Sequence, residues 1–201
     1  MKIAKNNLDV QIAMLEAKLG MNPNIQWCAD AIKNPKLQKV FKDMSESAMS
    51  EELQRLRVEK VKQKLFWVQK ELNRAVKKAK AFNVQKIVKK MKTLEEDKKA
   101  AMEADLKAAK AVNHATLATQ VYQKMIHNNS NEYIQATLEK FGLASKGDTE
   151  KIDSKILQQK AIQADIQELQ SDVEAFLRKL LHAPAVKVVA DETNSQRQPT
   201  Q

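Results

Sequence analysis

Few side chains in this 201-residue chain have a type and spacing suited to covalent chemistry. The three histidines, His114, His127 and His182, have no cysteine or carboxylate at ligand-like spacing. A zinc site needs such a cluster to complete its tetrahedron. Cys28 is the single cysteine, so it can neither close an intramolecular disulfide nor join a thiolate cluster. Gly20, Gly142 and Gly147 stand apart, and no glycine-rich loop exists to cradle a phosphate. Carboxylate pairs such as Glu95-Glu96 sit in mixed-charge sequence and read as solvated. The expectation is a non-enzymatic protein with no catalytic residue, metal, cofactor or small-molecule substrate.

The residues that stand out are cations. Lys and Arg number 35 against 25 Asp and Glu, for a formal net charge of +10. From Arg55 to Lys92 there are 14 basic residues and only two acids, Glu59 and Glu71, so this segment carries +12 and the rest of the chain −2. A solvated helix face ordinarily mixes signs, because acid–base pairs one turn apart support a helix and like charges weaken it. The stretch from Asp148 to Lys179 does mix them, with 7 acids and 5 bases. A basic run without counter-charges calls for an anionic partner that relieves its repulsion. Arg74, Lys77, Lys78, Lys80, Lys86, Lys89, Lys90 and Lys92 are the candidate phosphate contacts. Such contacts give affinity through counterion release with little sequence preference. Nucleic acid fits better than a membrane surface, because an interfacial helix sets its cations opposite one broad apolar face. Here they surround a narrow seam on every other side. Phe66 and Trp67 lie beside that seam, where they are suited to stacking on bases or to burial against a protein partner.

The elements that must carry these residues are helices. Only 3 Gly and 4 Pro are present, too few for the turns of a β-sandwich, a β-barrel or a doubly wound α/β fold. The fold class expected is all-α, with extended long helices, coiled-coil-like seams, a possible antiparallel helical hairpin and no compact globular domain. Residues 1–49 read as short helices and a broken linker. Within them Leu8, Ile12, Leu15 and Leu19 stripe a helix from about Asn7 to Leu19 that Gly20 stops, and a short helix surrounds Trp27.

Residues 50–127 read as one long basic helix with Ser50 as its N-cap and a kink near Asn83, where the apolar register slips. Asn128, Asn129 and Ser130 end it. Residues 128–146 hold a short helix from Tyr133 to Lys140 stopped by Phe141-Gly142. Residues 147–182 form a last helix capped by Asp148 or Thr149, and 183–201 a polar, disordered tail. The seams expected to dock on proteins carry Leu65, Val68, Leu72 and Phe82 on the long helix. On the last helix they carry Ile166, Leu169, Val173 and Phe176. Folding of the last helix back onto the long one is the competing use of the same stripes. No run of 18 apolar residues occurs, and the N-terminal stretch lacks the apolar core of a signal peptide, so a soluble intracellular protein without membrane contact is expected.

The run from Lys64 to Ile126, KLFWVQKELNRAVKKAKAFNVQKIVKKMKTLEEDKKAAMEADLKAAKAVNHATLATQVYQKMI, resembles the N-terminal helical region of the bud-site-selection ribosome-biogenesis factors and their animal relative, the serum response factor binding protein. The shared pattern is a basic stretch (Ala75 to Lys92), a charged linker (Glu95 to Lys99) and an alanine-rich amphipathic helix ending in Tyr122 to Ile126. The resemblance covers about a third of the chain. It lacks the family's acidic, low-complexity middle and its C-terminal His-Pro-Ser-Trp motif. It implies a factor of the nuclear, nucleolar small-subunit processome. Such a factor contacts ribosomal or pre-ribosomal RNA and ribosome-assembly proteins within a large complex. The alternative is a coiled-coil tether or cytoskeletal adaptor whose basic segment meets acidic protein surfaces.

Overall fold

The computed structural model describes residues 7–21, 39–127, 132–143 and 156–182. Among them the protein is all-α: helices α1 (Leu8–Lys18), α2 (Glu46–Met91), α3 (Glu96–Ala111), α4 (His114–His127), α5 (Glu132–Lys140) and α6 (Lys160–Leu180), with one 3-10 turn at Lys39–Phe41 and no strand. The expected helix around Trp27, the caps at Asp148 or Thr149 and the tail at 183–201 lie outside the described residues.

Local signals set several ends. Asn7 accepts from the Asp9 amide (3.0 Å) and starts α1. Gly20, at φ +71°, stops it: the Met21 amide donates to the Glu16 carbonyl (2.8 Å) and the Gly20 amide to that of Ala17 (3.3 Å). Gly142, at φ +65°, ends α5 with the same pair of bonds, Leu143 to Leu138 and Gly142 to Glu139 (both 2.9 Å). Both are the left-handed glycine stop that satisfies the last carbonyls of a helix.

The long basic element differs from the expected 50–127 helix at three places. It starts at Glu46, because Ser45 rather than Ser50 accepts from the Ala48 amide (3.3 Å) and Met49 packs beside Leu53 and Leu56. It continues without interruption past Asn83. It then ends at Met91, and the chain reverses. The reversal follows the charge order of the sequence, Lys89-Lys90-Met91-Lys92 before Glu95-Glu96-Asp97, which sets cations at a helix C-terminus and acids at the next N-terminus. Thr93 helps close the turn by donating its hydroxyl to the Lys90 carbonyl (2.9 Å). A second break separates α3 from α4, where the Asn113 side chain caps the Ala115 and Thr116 amides (3.0 and 3.3 Å). The register slip after Phe82 turns the apolar stripe by roughly a quarter of the helix circumference at about 100° per residue.

At about 1.5 Å per residue α2 is a spine about 70 Å long. The α3–α4 pair runs back along one side of it, and α6 runs antiparallel to it along another. The α6 placement is the expected hairpin: the Gln159 side chain donates to the Ala79 carbonyl at one end (3.2 Å), and His182 reaches Glu16 of α1 at the other. Three apolar clusters succeed one another along α2. At the N-terminal end, Leu53 and Leu56 meet Ile12, Leu15 and Phe41. In the middle, Val61, Leu65, Val68 and Leu72 meet α4, α5 and α6 through Val121, Ile126, Ile134, Leu138, Val173 and Leu177. At the C-terminal end, Val76 and Ala79 meet Leu117, Ala118, Ile156 and Ile162.

Candidate nucleic-acid interface

Folding sorts the cations of the basic segment into two groups. Four in its N-terminal part, Arg55, Arg57, Lys60 and Lys64, are paired with acids, most of them far off in the sequence, while Lys62 and Lys70 stay exposed. Arg57 donates to Glu16 of α1 (2.9 Å), Lys60 meets Asp9 of α1 (2.8 Å), and Lys64 meets Asp172 of α6. Arg55 pairs with Glu52 one turn back (2.6 Å), a hydrogen bond that holds the Glu52 carboxyl below its ordinary range.

The C-terminal part keeps its charge. Lys77, Lys78, Lys86, Lys89, Lys90 and Lys92 are all exposed, and none makes an ion pair among the described residues. Arg74 is exposed too and pairs with Glu71 of its own helix. At about 100° per residue, Lys70, Arg74 and Lys77 share a sector about 60° wide on the side of α2 opposite the buried stripe. Lys86, Lys89 and Lys90 instead line an open groove between the end of α2, α3 and residues 156–160. Its volume is about 1090 Å³, with Phe82, Ile87, Met102 and Val112 among its apolar walls. Of the expected phosphate contacts, Arg74 and Lys77 thus fall on the outer row and Lys86, Lys89 and Lys90 at the groove, while Lys78 borders a smaller cleft towards α6 and Lys92 lies just past the end of α2.

Lys80 belongs to neither set. Its ammonium donates to the carbonyls of Lys110 and Val112 (2.7 Å each), the end of α3. A cation there answers both the orphan carbonyls and the negative end of the helix dipole. Lys80 is therefore a helix cap. Lys80→Met is expected to lower stability by about 1 kcal/mol while leaving any nucleic-acid affinity unchanged. Urea unfolding and a binding titration on the same variant check this.

Most of the expected docking residues are occupied at home. Leu65, Val68, Leu72 and Val173 are buried in the middle cluster, and Ile166, Leu169 and Phe176 pack against it. The apolar area of the first four is covered by this chain's own helices, while Ile166, Leu169 and Phe176 stay partly exposed. Phe82 is the exception, 59% exposed at the groove. Phe66 and Trp67, which the sequence left open between stacking and burial, are 60% and 44% exposed.

At the opposite end of α2 sits a polar junction that the sequence did not disclose. Glu16 is 2% exposed, and its Oε1 accepts both from Arg57 (2.9 Å) and from Nε2 of His182 (3.0 Å). A carboxylate only accepts, so the His182 proton on this contact lies on Nε2. His182 itself takes a left-handed backbone (φ 54°) just past the end of α6. The three side chains tie α1, α2 and α6 together.

Among the described residues, no group of three or more His, Cys, Asp or Glu is placed to hold a metal ion, and no helix is long and apolar enough to cross a membrane. Compared with protein-family models, curated proteins and solved structures, the chain matches none.

Proposed function

We propose that this protein is a non-enzymatic RNA-binding factor that holds phosphate backbones on the C-terminal half of α2. One observation carries the reading: within about 23 Å of one helix, Lys77, Lys78, Lys86, Lys89, Lys90 and Lys92 remain exposed and make no ion pair among the described residues, although the same fold pairs Arg57, Lys60 and Lys64 with distant acids. A fold that had only to stay soluble would gain by interleaving acids here, as the sequence of α6 does. Together with the resemblance of residues 64–126, this supports a place in small-subunit ribosome biogenesis. The compartment would be the nucleolus, and assembly proteins would share the complex. The coiled-coil adaptor reading has less beneath it, because the seam such an adaptor would offer is largely covered by α4, α5 and α6.

The test is the salt dependence of RNA binding. Six phosphate contacts to a single strand, at about 0.7 each, predict that log Kobs falls with log salt at a slope of about −4. Fluorescence anisotropy with a labelled RNA across a salt series measures it. A flat response at negligible affinity would return the basic segment to acidic protein surfaces.

A further inference from the structure

The RNA reading leaves two rings unexplained. Phe66 and Trp67 are among the most exposed large apolar side chains of the described protein. Being consecutive on α2, they point about 100° apart and straddle the side that faces away from the core. Each ring already carries a cation on its face: Lys70 Nζ lies 4.4 Å from the Phe66 centroid and Lys64 Nζ 4.5 Å from that of Trp67. These contacts favour one placement of each ring and leave it open to solvent elsewhere. Water-exposed aromatic area is costly, and a flat apolar partner would remove the cost.

The surroundings indicate which partner. Beyond the rings, Lys70, Arg74 and Lys77 continue along the same outer side and are all exposed. Protein-interface cores are depleted in lysine, whereas alternating aromatics and cations are what an unpaired nucleic-acid strand requires. An RNA duplex keeps its base faces inside its own stack and offers side chains mainly its backbone and shallow groove. The flank of Trp67 towards α6 opens on a cleft of about 350 Å³, with Asp165, Glu168 and Asp172 on its α6 wall and Arg74 and Lys78 on its α2 wall. Phosphates are repelled from the carboxylates of α6 and drawn to the cations of α2, which sets the path of the strand.

We infer that Phe66 and Trp67 form a stacking platform for unpaired bases of a single-stranded RNA whose phosphates follow Lys70, Arg74 and Lys77. This rests on the RNA reading and narrows its substrate to single strands. The experiment compares the full chain with the Phe66→Leu/Trp67→Leu variant on an RNA of about 12 nucleotides, presented either alone or as a duplex. Leucine keeps helix propensity and apolar character, and both positions are exposed, so the fold is retained. The expected result is a preference of the parent protein for the single strand. The variant should lose about tenfold or more in affinity for that strand and nothing for the duplex. In a Trp27→Phe background, fluorescence from Trp67 should be quenched by the single strand. Unchanged single-strand affinity in the variant would overturn the platform while leaving phosphate binding intact. Equal losses on both RNAs would also overturn it, marking the rings as structural or protein-facing. No RNA binding by the parent protein would end both readings.

Discussion

Replacing Lys77, Lys78, Lys89 and Lys90 with Glu is expected to abolish RNA association while the helix content stays as it was. All four side chains are exposed and unpaired among the described residues, so no internal contact is lost. Glu and Lys also have nearly equal helix propensity. Four attractive phosphate contacts become four repulsive ones. At roughly 0.5 kcal/mol for each of these eight changes, the loss is on the order of a thousandfold at moderate salt. The pair Lys77-Lys78 and the pair Lys89-Lys90 by the groove lie about 18 Å apart along the axis, far enough for their effects to add. Each double reversal should therefore give about half the loss on a logarithmic scale. Crosslinking of the quadruple variant to RNA at the parent level, with an unchanged circular dichroism spectrum, would remove α2 as the binding element.

The largest expected effect on stability comes from Arg57→Met. Glu16 is 2% exposed and leans on Arg57 and His182 alone among the contacts its side chain makes. Removing the guanidinium leaves a buried carboxylate with one imidazole donor, and stranding a buried charge costs about 3–5 kcal/mol. Converting Glu16 to Met in the same chain should recover most of that loss, since an apolar pair of similar volume has no charge to desolvate. The Nε of Arg57 already lacks a hydrogen-bond partner, which lowers what the intact pair contributes and makes the recovery larger. Urea midpoints of the two single variants and the double variant measure the coupling. A single-variant loss under about 1 kcal/mol would mean that water reaches Glu16 in the native protein.

The helical class and the two glycine stops were legible because each depends on composition or local chemistry, whereas the antiparallel placement of α6 was one of two uses its stripe left open. Asn7 and Gly20 bracket α1 within a residue of the expected ends. The breaks at Met91 and Val112 had local signals too, a lysine run followed by acids and an asparagine cap, but neither contains the glycine or proline that most clearly ends a helix. Start and end of α2 were misplaced for different reasons. Ser45 caps the helix one turn before Ser50, and the sequence offers both serines; packing of Met49 on α1's cluster, a tertiary effect, favours the earlier one. The charge of the basic segment was legible as a sum and illegible as a surface. Arg57, Lys60 and Lys64 meet partners 41, 51 and 108 residues away, and only the fold brings those together. The seams were found correctly as seams. Nothing in a heptad pattern distinguishes a stripe covered by its own chain from one reserved for another.

A spine that meets a different apolar cluster at each third of its length need not unfold in one step. The N-terminal cluster shares little beyond α2 with the other two, whereas the middle and C-terminal clusters also share α4 and α6, so the N-terminal end can open with only part of the cost of the whole. The cluster beside the exposed lysines sets Ala79, Ala118 and Val76 among Leu117, Ile156 and Ile162, and buries the least apolar volume per residue. Local opening energies should accordingly fall along α2 towards Met91. The region proposed to hold RNA is then also the one whose helices separate most cheaply, and a strand bound there would adjust the spacing of α2 and α3 without disturbing the junction at Glu16.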